Sequence, residues 1–325
     1  MDKVHPYLAE HFASKGYLCE TVLQISYNDF IELDDEYTGL VIRSKFEVDK
    51  NAISSKSNLK FIIRIGSGVE HIDTQFAKAK GIKVISTPEG NASAVAEHCL
   101  GMLIAALKKI PTANSEVKNG EWLREKNKGT EISSQTVGII GFGHTGKAFA
   151  RLLSVFGCKI LVYDKFKSGF QETYIEEVAL DDLLQRATVI SLHINYLPEN
   201  HYFINKTLLQ KAQQQPVFIN TSRGLAVNTA DLIFALDEDY ISFICLDVLE
   251  YENVNLQIPP KAAWNDALLR LASNKHVLLT PHTAGQTVDA ELGHAKIAAE
   301  KMLSIVVAQM SVENVVEALR HIRRH

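Results

Sequence analysis

In Val137-Gly-Ile-Ile-Gly-Phe-Gly-His-Thr-Gly-Lys-Ala-Phe-Ala150, a short apolar run (Val137 to Ile140) enters a turn punctuated by Gly141, Gly143 and Gly146. A helical pattern leaves that turn, with Ala148, Leu152 and Phe156 expected on its inner face. A second apolar run, Ile160-Leu-Val-Tyr-Asp164, ends on an acid. Gly141 supplies the tight turn, Gly143 lets backbone approach a pyrophosphate, and Gly146 lets helix pack on strand. The helix start offers unpaired N–H groups and a positive dipole end to phosphates. Asp164 stands where a carboxylate can accept hydrogen bonds from ribose hydroxyls. Strand, turn, helix, strand and acid in register predict a dinucleotide-binding α/β domain.

Working outward, six short apolar runs fall at 137–140, 159–163, 188–192, 216–220, 243–247 and 276–279, separated by helical patterns. They match a complete Rossmann domain with a doubly wound parallel sheet. Upstream, 39–43, 60–64 and 82–86 read as strands, with helix-like segments around 50–57 and 73–80 between them. A long helix is expected from Ala92 to Lys109, stopped by Pro111. A further amphipathic stretch, Val288 to Val307, follows Gly285. The predicted organisation is a Rossmann domain over 94–285 inserted in a flavodoxin-like, doubly wound substrate domain made from 1–93 and 286–325. The first helix pattern (Pro6 to Lys15) begins almost at once, so Met1-Asp-Lys-Val reads as the end of a strand that begins upstream of this Met.

At 325 residues the chain suits two domains, and its 46% apolar content can fill both cores. A net charge of −4 offers no global attraction for nucleic acid or anionic membrane. No run is read as long enough to span a bilayer and no export signal is visible, so a cytoplasmic protein is expected. Cys19, Cys99, Cys158 and Cys245 are far apart and read as buried thiols rather than disulfides or metal ligands.

Three segments that run past the ends of later strands, where open α/β sheets bind ligands, carry ionisable groups. Phe218-Ile-Asn-Thr-Ser-Arg-Gly224 carries Arg223, Ile244-Cys-Leu-Asp-Val-Leu-Glu-Tyr-Glu252 carries Asp247 and Glu252, and Val277-Leu-Leu-Thr-Pro-His-Thr-Ala-Gly285 carries His282. A guanidinium can clamp a carboxylate bidentately and polarise a neighbouring keto group. An imidazole can exchange a proton with the C2 oxygen while a nicotinamide exchanges hydride with C2. A carboxylate can orient that imidazole. Each group alone is more often a surface, turn-capping or solvated residue; their joint occurrence beside the fingerprint carries the argument. Glu250 reads as a solvated loop acid, no third ligand supports a metal, and Ser222 lacks a nucleophile elbow. His71, His98 and His193 read as structural hydrogen-bonding residues rather than catalytic ones.

These segments also carry a resemblance. Gly66-Ser-Gly-Val-Glu-His-Ile-Asp73, Asn91-Ala-Ser-Ala-Val-Ala-Glu97, the glycine fingerprint, Asn220-Thr-Ser-Arg-Gly224, Leu246-Asp-Val-Leu-Glu-Tyr-Glu252 and Pro281-His282 appear in order. The chain resembles the D-isomer-specific 2-hydroxyacid dehydrogenases, with the nearest look to D-3-phosphoglycerate dehydrogenases. The resemblance implies NAD as cofactor and Arg223, Glu252 and His282 as the catalytic set. It implies a cofactor site of Gly141, Gly143, Gly146, Asp164, backbone of His144 and Thr145, and His193, Thr221, Ser222, Asp247 and Gly285, with Thr221 and Asp247 at the nicotinamide end. Ser67 and Gly68 would present N–H groups to a substrate carboxylate, and Arg43, Arg64 and Arg124 resemble cationic positions around a phosphorylated substrate. It also implies a homodimer in which the 92–130 region crosses between subunits. No room follows His325 for a regulatory domain, so serine feedback through one is not expected.

His193-Ile-Asn-Tyr-Leu-Pro198 departs from the family's His-x-Pro-x-Thr pattern at Asn195 and Leu197. Lys165 is a mild NADP-like feature beside an Asp that argues for NAD. Residues 253–272 form an insert-like loop near Glu252. Two alternatives stay open: a reductase of glyoxylate, hydroxypyruvate or another small 2-keto acid, and an NAD-sensing, corepressor-like scaffold.

Overall fold

A computed structural model describes residues 4–34, 36–253 and 255–309. The chain divides into two compact units: continuous Ala92–Gln286, and a second unit combining chain before Ala92 with chain after Gln286. The expected strand at Met1-Asp-Lys-Val rests on Met1 to Lys3, which lie outside the described residues.

In the two-ended unit, β1 (Gly39–Ile42), β2 (Phe61–Arg64) and β3 (Lys83–Ser86) form a three-stranded parallel sheet in chain order. Helices cover both faces. Ile42 and Ile62 face Phe30, Ala52, Ile53 and Ala77 on one side. Ile63 and Ile85 face Leu8, Phe12, Ala295, Ala298 and Met302 on the other. The helix-like segments are shorter than their patterns, at Lys50–Ser54 and Thr74–Ala79, and Asp49 and Asp73 cap their first turns by accepting the N–H groups of Ala52 and Phe76.

The continuous unit holds a seven-stranded, all-parallel sheet. Its strands are β4 (Thr136–Ile140), β5 (Lys159–Tyr163), β6 (Glu176–Glu177), β7 (Val189–Leu192), β8 (Val217–Asn220), β9 (Phe243–Leu246) and β10 (Val277–Leu279). The spatial order β10-β9-β8-β7-β4-β5-β6 is the Rossmann order with one strand added. Two-residue β6 was not expected, being too short and polar to show a pattern. Side chains alternate between two cores, as the period of a strand demands. Val137, Ile139, Val162, Val189 and Ile219 join the helices Ala92–Leu107 and His144–Ser154. Ile140, Leu161, Ile190, Phe218 and Ile244 join Leu183, Leu232 and Leu271.

Four expectations are corrected. The helix His144–Ser154 buries Gly146, Phe149, Ala150 and Leu153. Ala148 and Leu152 are half-buried and pack against the same core, whereas Phe156 falls past the helix end, 37% exposed. Pro111 ends nothing; it sits in the first turn of a new helix, Ile110–Lys118, where its missing N–H costs no hydrogen bond. The preceding helix stops at Leu107, and Lys109 turns the chain with φ of 52°. Cys99 and Cys245 are buried free thiols, but Cys19 is exposed. Finally, Pro88–Leu107 is by length and composition apolar enough to cross a membrane. Val95, Ala96, Cys99, Met102, Leu103 and Ala106 on that stretch are core residues of the continuous unit, which accounts for much of the apolarity.

The corrected helix face gives a stability test. Phe149→Ala removes a fully buried ring and is expected to cost about 3–5 kcal/mol in denaturant unfolding. Phe156→Ala is expected to cost under about 1 kcal/mol in the same measurement.

Candidate active site

Parallel pairing brings the C-terminal ends of β4, β5, β7, β8, β9 and β10 out on one edge of the sheet. The glycine turn leaves β4 there. Gly141 has φ of +94°, and a Cβ on it would stand 2.7 Å from the His193 carbonyl oxygen. A Cβ on Gly146 would stand 2.2 Å from the Gly141 oxygen, so only glycine lets the helix start this close to the turn. Gly143, by contrast, faces open space, and no side chain caps the helix beginning at His144 and Thr145. Asp164 closes the cradle, its carboxylate accepting the N–H groups of Phe142 (2.8 Å), Phe166 (2.9 Å) and Lys167 (3.0 Å). An uncapped helix start, an open glycine and a fixed acid fit the pyrophosphate and adenosine ribose of NAD. Lys165 is paired with Glu199 at 2.8 Å.

His193 is placed differently from its expected cofactor role. Its ring is buried and bonded through Nε2 to Ser191 Oγ at 2.8 Å, and burial pushes its pKa down to about 4, so it stays neutral. Its side chain supports the strand end, and its backbone borders Gly141.

The ionisable trio is carried by neighbouring strands β8, β9 and β10. After β8, fully buried Asn220 folds the turn: its Oδ1 accepts Ser222 N–H (2.9 Å) and Oγ–H (2.8 Å), and its Nδ2 donates to the Arg223 carbonyl (3.0 Å). Thr221 Oγ1 lies 3.1 Å from Cys99 Sγ. Backbone contact then joins this turn to the next one, since a Cβ on Gly224 would stand 2.1 Å from the Leu249 carbonyl carbon. Glu250 is not a merely solvated loop acid: it accepts Thr229 N–H at 3.1 Å and, beside Tyr202, pushes that phenol up to about 12.

After β10, His282 adopts φ of +54°, a left-handed conformation that costs about 1–3 kcal/mol outside glycine. Neighbours hold it there. Its N–H donates to the Asp247 carbonyl (2.8 Å), and its Nδ1 meets Glu252 Oε2 at 2.5 Å. Glu252 is fixed in turn, its Oε1 accepting Leu249 N–H at 2.6 Å. An ionised carboxylate only accepts, so Nδ1 carries the proton and Nε2 is the nitrogen left for chemistry.

Asp247 departs most from expectation. Its carboxylate, 1% exposed, accepts Thr280 Oγ–H (2.5 Å), Thr283 N–H (2.9 Å) and Ala284 N–H (2.9 Å). It ties the turn bearing His282 and Gly285 to β9, a structural role that no local sequence pattern announces. Thr280 also lies 3.0 Å from His98 Nε2. Thr280 and Asn220 were missed; a polar residue within three positions of a candidate was the available signal.

The two-ended unit carries Arg43, Arg64, Ser67 and Gly68. Gly66-Ser67-Gly68 follows β2, with Gly66 at φ of +135°. Arg64 folds back over this turn, Nη1 donating to the Ile65 carbonyl at 3.0 Å. Arg43 Nη1 lies 3.9 Å from Glu291 Oε1. Arg124, exposed, belongs to the continuous unit.

Comparison with known proteins shows what the chain is similar to. The family profile described as "D-isomer specific 2-hydroxyacid dehydrogenase, NAD binding domain" matches residues 100–284. The chain is 35% identical over 285 residues to a D-3-phosphoglycerate dehydrogenase of Synechocystis sp., covering 87% of this chain and 49% of that protein. It thus spans about half the length of that relative. It is 33% identical over 264 residues to a hydroxypyruvate reductase of Thermotoga maritima, covering 81% and 83%. A D-lactate dehydrogenase from Aquifex aeolicus, solved with NAD and lactic acid, superposes with a TM-score of 0.79 at 26% identity, covering 93% and 92%.

Asp247→Asn tests the anchor. It replaces one acceptor oxygen with a donor that faces N–H groups, and is expected to cost about 2–3 kcal/mol in chemical unfolding. A loss below about 0.5 kcal/mol would contradict the geometry.

Proposed function

This chain belongs to the D-isomer-specific 2-hydroxyacid dehydrogenases, and on that premise we propose that it exchanges hydride between NAD and a small D-2-hydroxy acid. The observation that carries the proposal is the His282–Glu252 pair at 2.5 Å, on the same sheet edge as Arg223 and the glycine turn. NAD, when bound, supplies the hydride acceptor. His282 Nε2 takes the proton of the C2 hydroxyl during oxidation and returns it during reduction. Glu252 holds the imidazole in that tautomer and stabilises its charged form. Arg223 pairs with the substrate carboxylate and polarises the C2 oxygen. Ser67 and Gly68 offer N–H groups to a substrate carboxylate.

We infer D-3-phosphoglycerate as the substrate and a role in serine biosynthesis, and we read the protein as a cytoplasmic homodimer. The name of the Synechocystis relative and the cationic Arg43 and Arg64 support this reading. Exposed Ile110 and Val117 (each 50%) and Trp122 (75%), on or beside the helix Ile110–Lys118, support an interface there. A second reading, an unphosphorylated 2-keto acid, is favoured by two observations. Arg43 is in part committed to Glu291, and the hydroxypyruvate reductase is matched over most of its length.

Steady-state kinetics over NADH and a keto-acid panel decides between them. Oxidation of NADH selective for 3-phosphohydroxypyruvate is expected; equal kcat/KM with and without the phosphate would favour the second reading. Silence with every acid, together with NADH-dependent peptide binding, would favour a corepressor-like scaffold. His282→Ala is expected to lower kcat by about 10²–10⁴-fold while leaving NADH affinity nearly unchanged. Loss of NADH binding in the folded variant would contradict the role given to His282.

A further inference from the structure

We propose that His294 is a positioning residue: through Thr87 it holds the Gly66-Ser67-Gly68 turn in the conformation that presents its N–H groups to a substrate carboxylate. The inference rests on the carboxylate role given to that turn above and adds the residues that fix it.

The turn is gripped from one side by a single residue. Thr87 follows β3 as Gly66 follows β2, and the parallel pairing of Arg64 with Ser86 continues just past both strands. Thr87 N–H donates to the Gly66 carbonyl at 2.9 Å, while Thr87 Oγ1 accepts Gly66 N–H at 2.9 Å. Both backbone groups of Gly66 are therefore fixed by one threonine. At φ of +135° that geometry belongs to glycine, and Arg64 fills the place a Cβ would take, its Nη1 only 1.3 Å from where that atom would stand.

Thr87 is in turn fixed by His294, on the helix Val288–Gln309. His294 Nδ1 lies 2.8 Å from Thr87 Oγ1 and 2.9 Å from the Thr87 carbonyl. A carbonyl only accepts, so Nδ1 carries the proton and bridges both oxygens. Thr87 is fully buried and His294 is 6% exposed, which shields both bonds from competition with water. Burial also pushes the His294 pKa down to about 4, so the ring holds one neutral form. The helix cannot slide away from this contact. A Cβ on Gly90 would stand 2.6 Å from His294 N, and one on Gly293 would stand 2.5 Å from the Gly90 oxygen, so two glycines interlock the backbones. Lys301, two turns on, adds bonds to the Ser86 carbonyl (3.0 Å) and both Glu89 oxygens (2.8 Å each).

Side chains that fix a backbone turn would act on substrate binding rather than on the proton or hydride. Two readouts test this on the whole protein: amide hydrogen exchange over residues 65–70, and keto-acid kinetics with NADH. His294→Leu, which keeps bulk and removes the donor, is expected to speed exchange of that segment about tenfold. It is also expected to raise KM for the keto acid about tenfold, with kcat within about twofold and NADH affinity unchanged. His294→Asn restores an N–H near the Nδ1 position and is expected to recover most of both effects. Thr87→Val reads the same loss without touching His294, should the leucine variant fail to fold. Unchanged exchange in folded His294→Leu or Thr87→Val overturns the proposal, as does a fall in kcat that Asn does not rescue. Should exchange depend on His294 while wild-type protein turns over no keto acid, the proposed function falls and the anchor stands.

Discussion

A parallel sheet buried on both faces leaves its strand ends as the place for chemistry, and that constraint governs the continuous unit. The large apolar side chains of β4, β7 and β8 are each committed to one of two cores. Reactive groups must stand in the turns that leave the strands, all of which emerge on one edge. Those turns contain backbone polar groups that burial would otherwise orphan. Asn220 and Asp247 answer that need: each is buried beside a candidate reactive residue and satisfies several donors at once. Fixing the turn and placing the functional group are thus one act.

The same logic recurs with different chemistry in the two-ended unit. There the turn after β2 is held by Thr87 and His294 instead of a carboxylate. A neutral ring suits a site expected to receive an anion, because a buried carboxylate beside Gly66 would repel it. Both units use glycine where backbones meet: Gly141 against His193, Gly224 against Leu249, and Gly90 against Gly293. Close backbone approach makes these turns stiff, as the proposed hydride transfer requires.

Much of this was legible in the residue order, for identifiable reasons. The Rossmann strands follow from short apolar runs between helical patterns, and Arg223 and His282 stand out by residue type just past strand ends, whereas Glu252 is preferred to Asp247 only through the family resemblance. Helix faces and stops were less legible. A window of apolar residues fits two adjacent registers, and only packing against β4 and β5 selected Phe149 over Phe156. Pro111 reads equally well as a stop or as a first-turn residue, and the left-handed Lys109 decided for the second. Arg64 offered a cation to any ligand on paper; in the fold it lies across its own turn.

The sequence by itself determined the dinucleotide cradle, because its glycines and acid act through local backbone geometry that neighbouring residues encode. It placed Arg223 and His282 just past strand ends that periodicity reveals, while Glu252, farther from its strand, is singled out only by the family resemblance. Only the tertiary structure decided which groups hold the turns after the strands in place. Thr280 reaches Asp247, and His294 reaches Thr87, across long separations in chain that no local pattern records. Those contacts exist because parallel pairing sets distant strand ends side by side, and burial then makes each unpaired polar group find a partner.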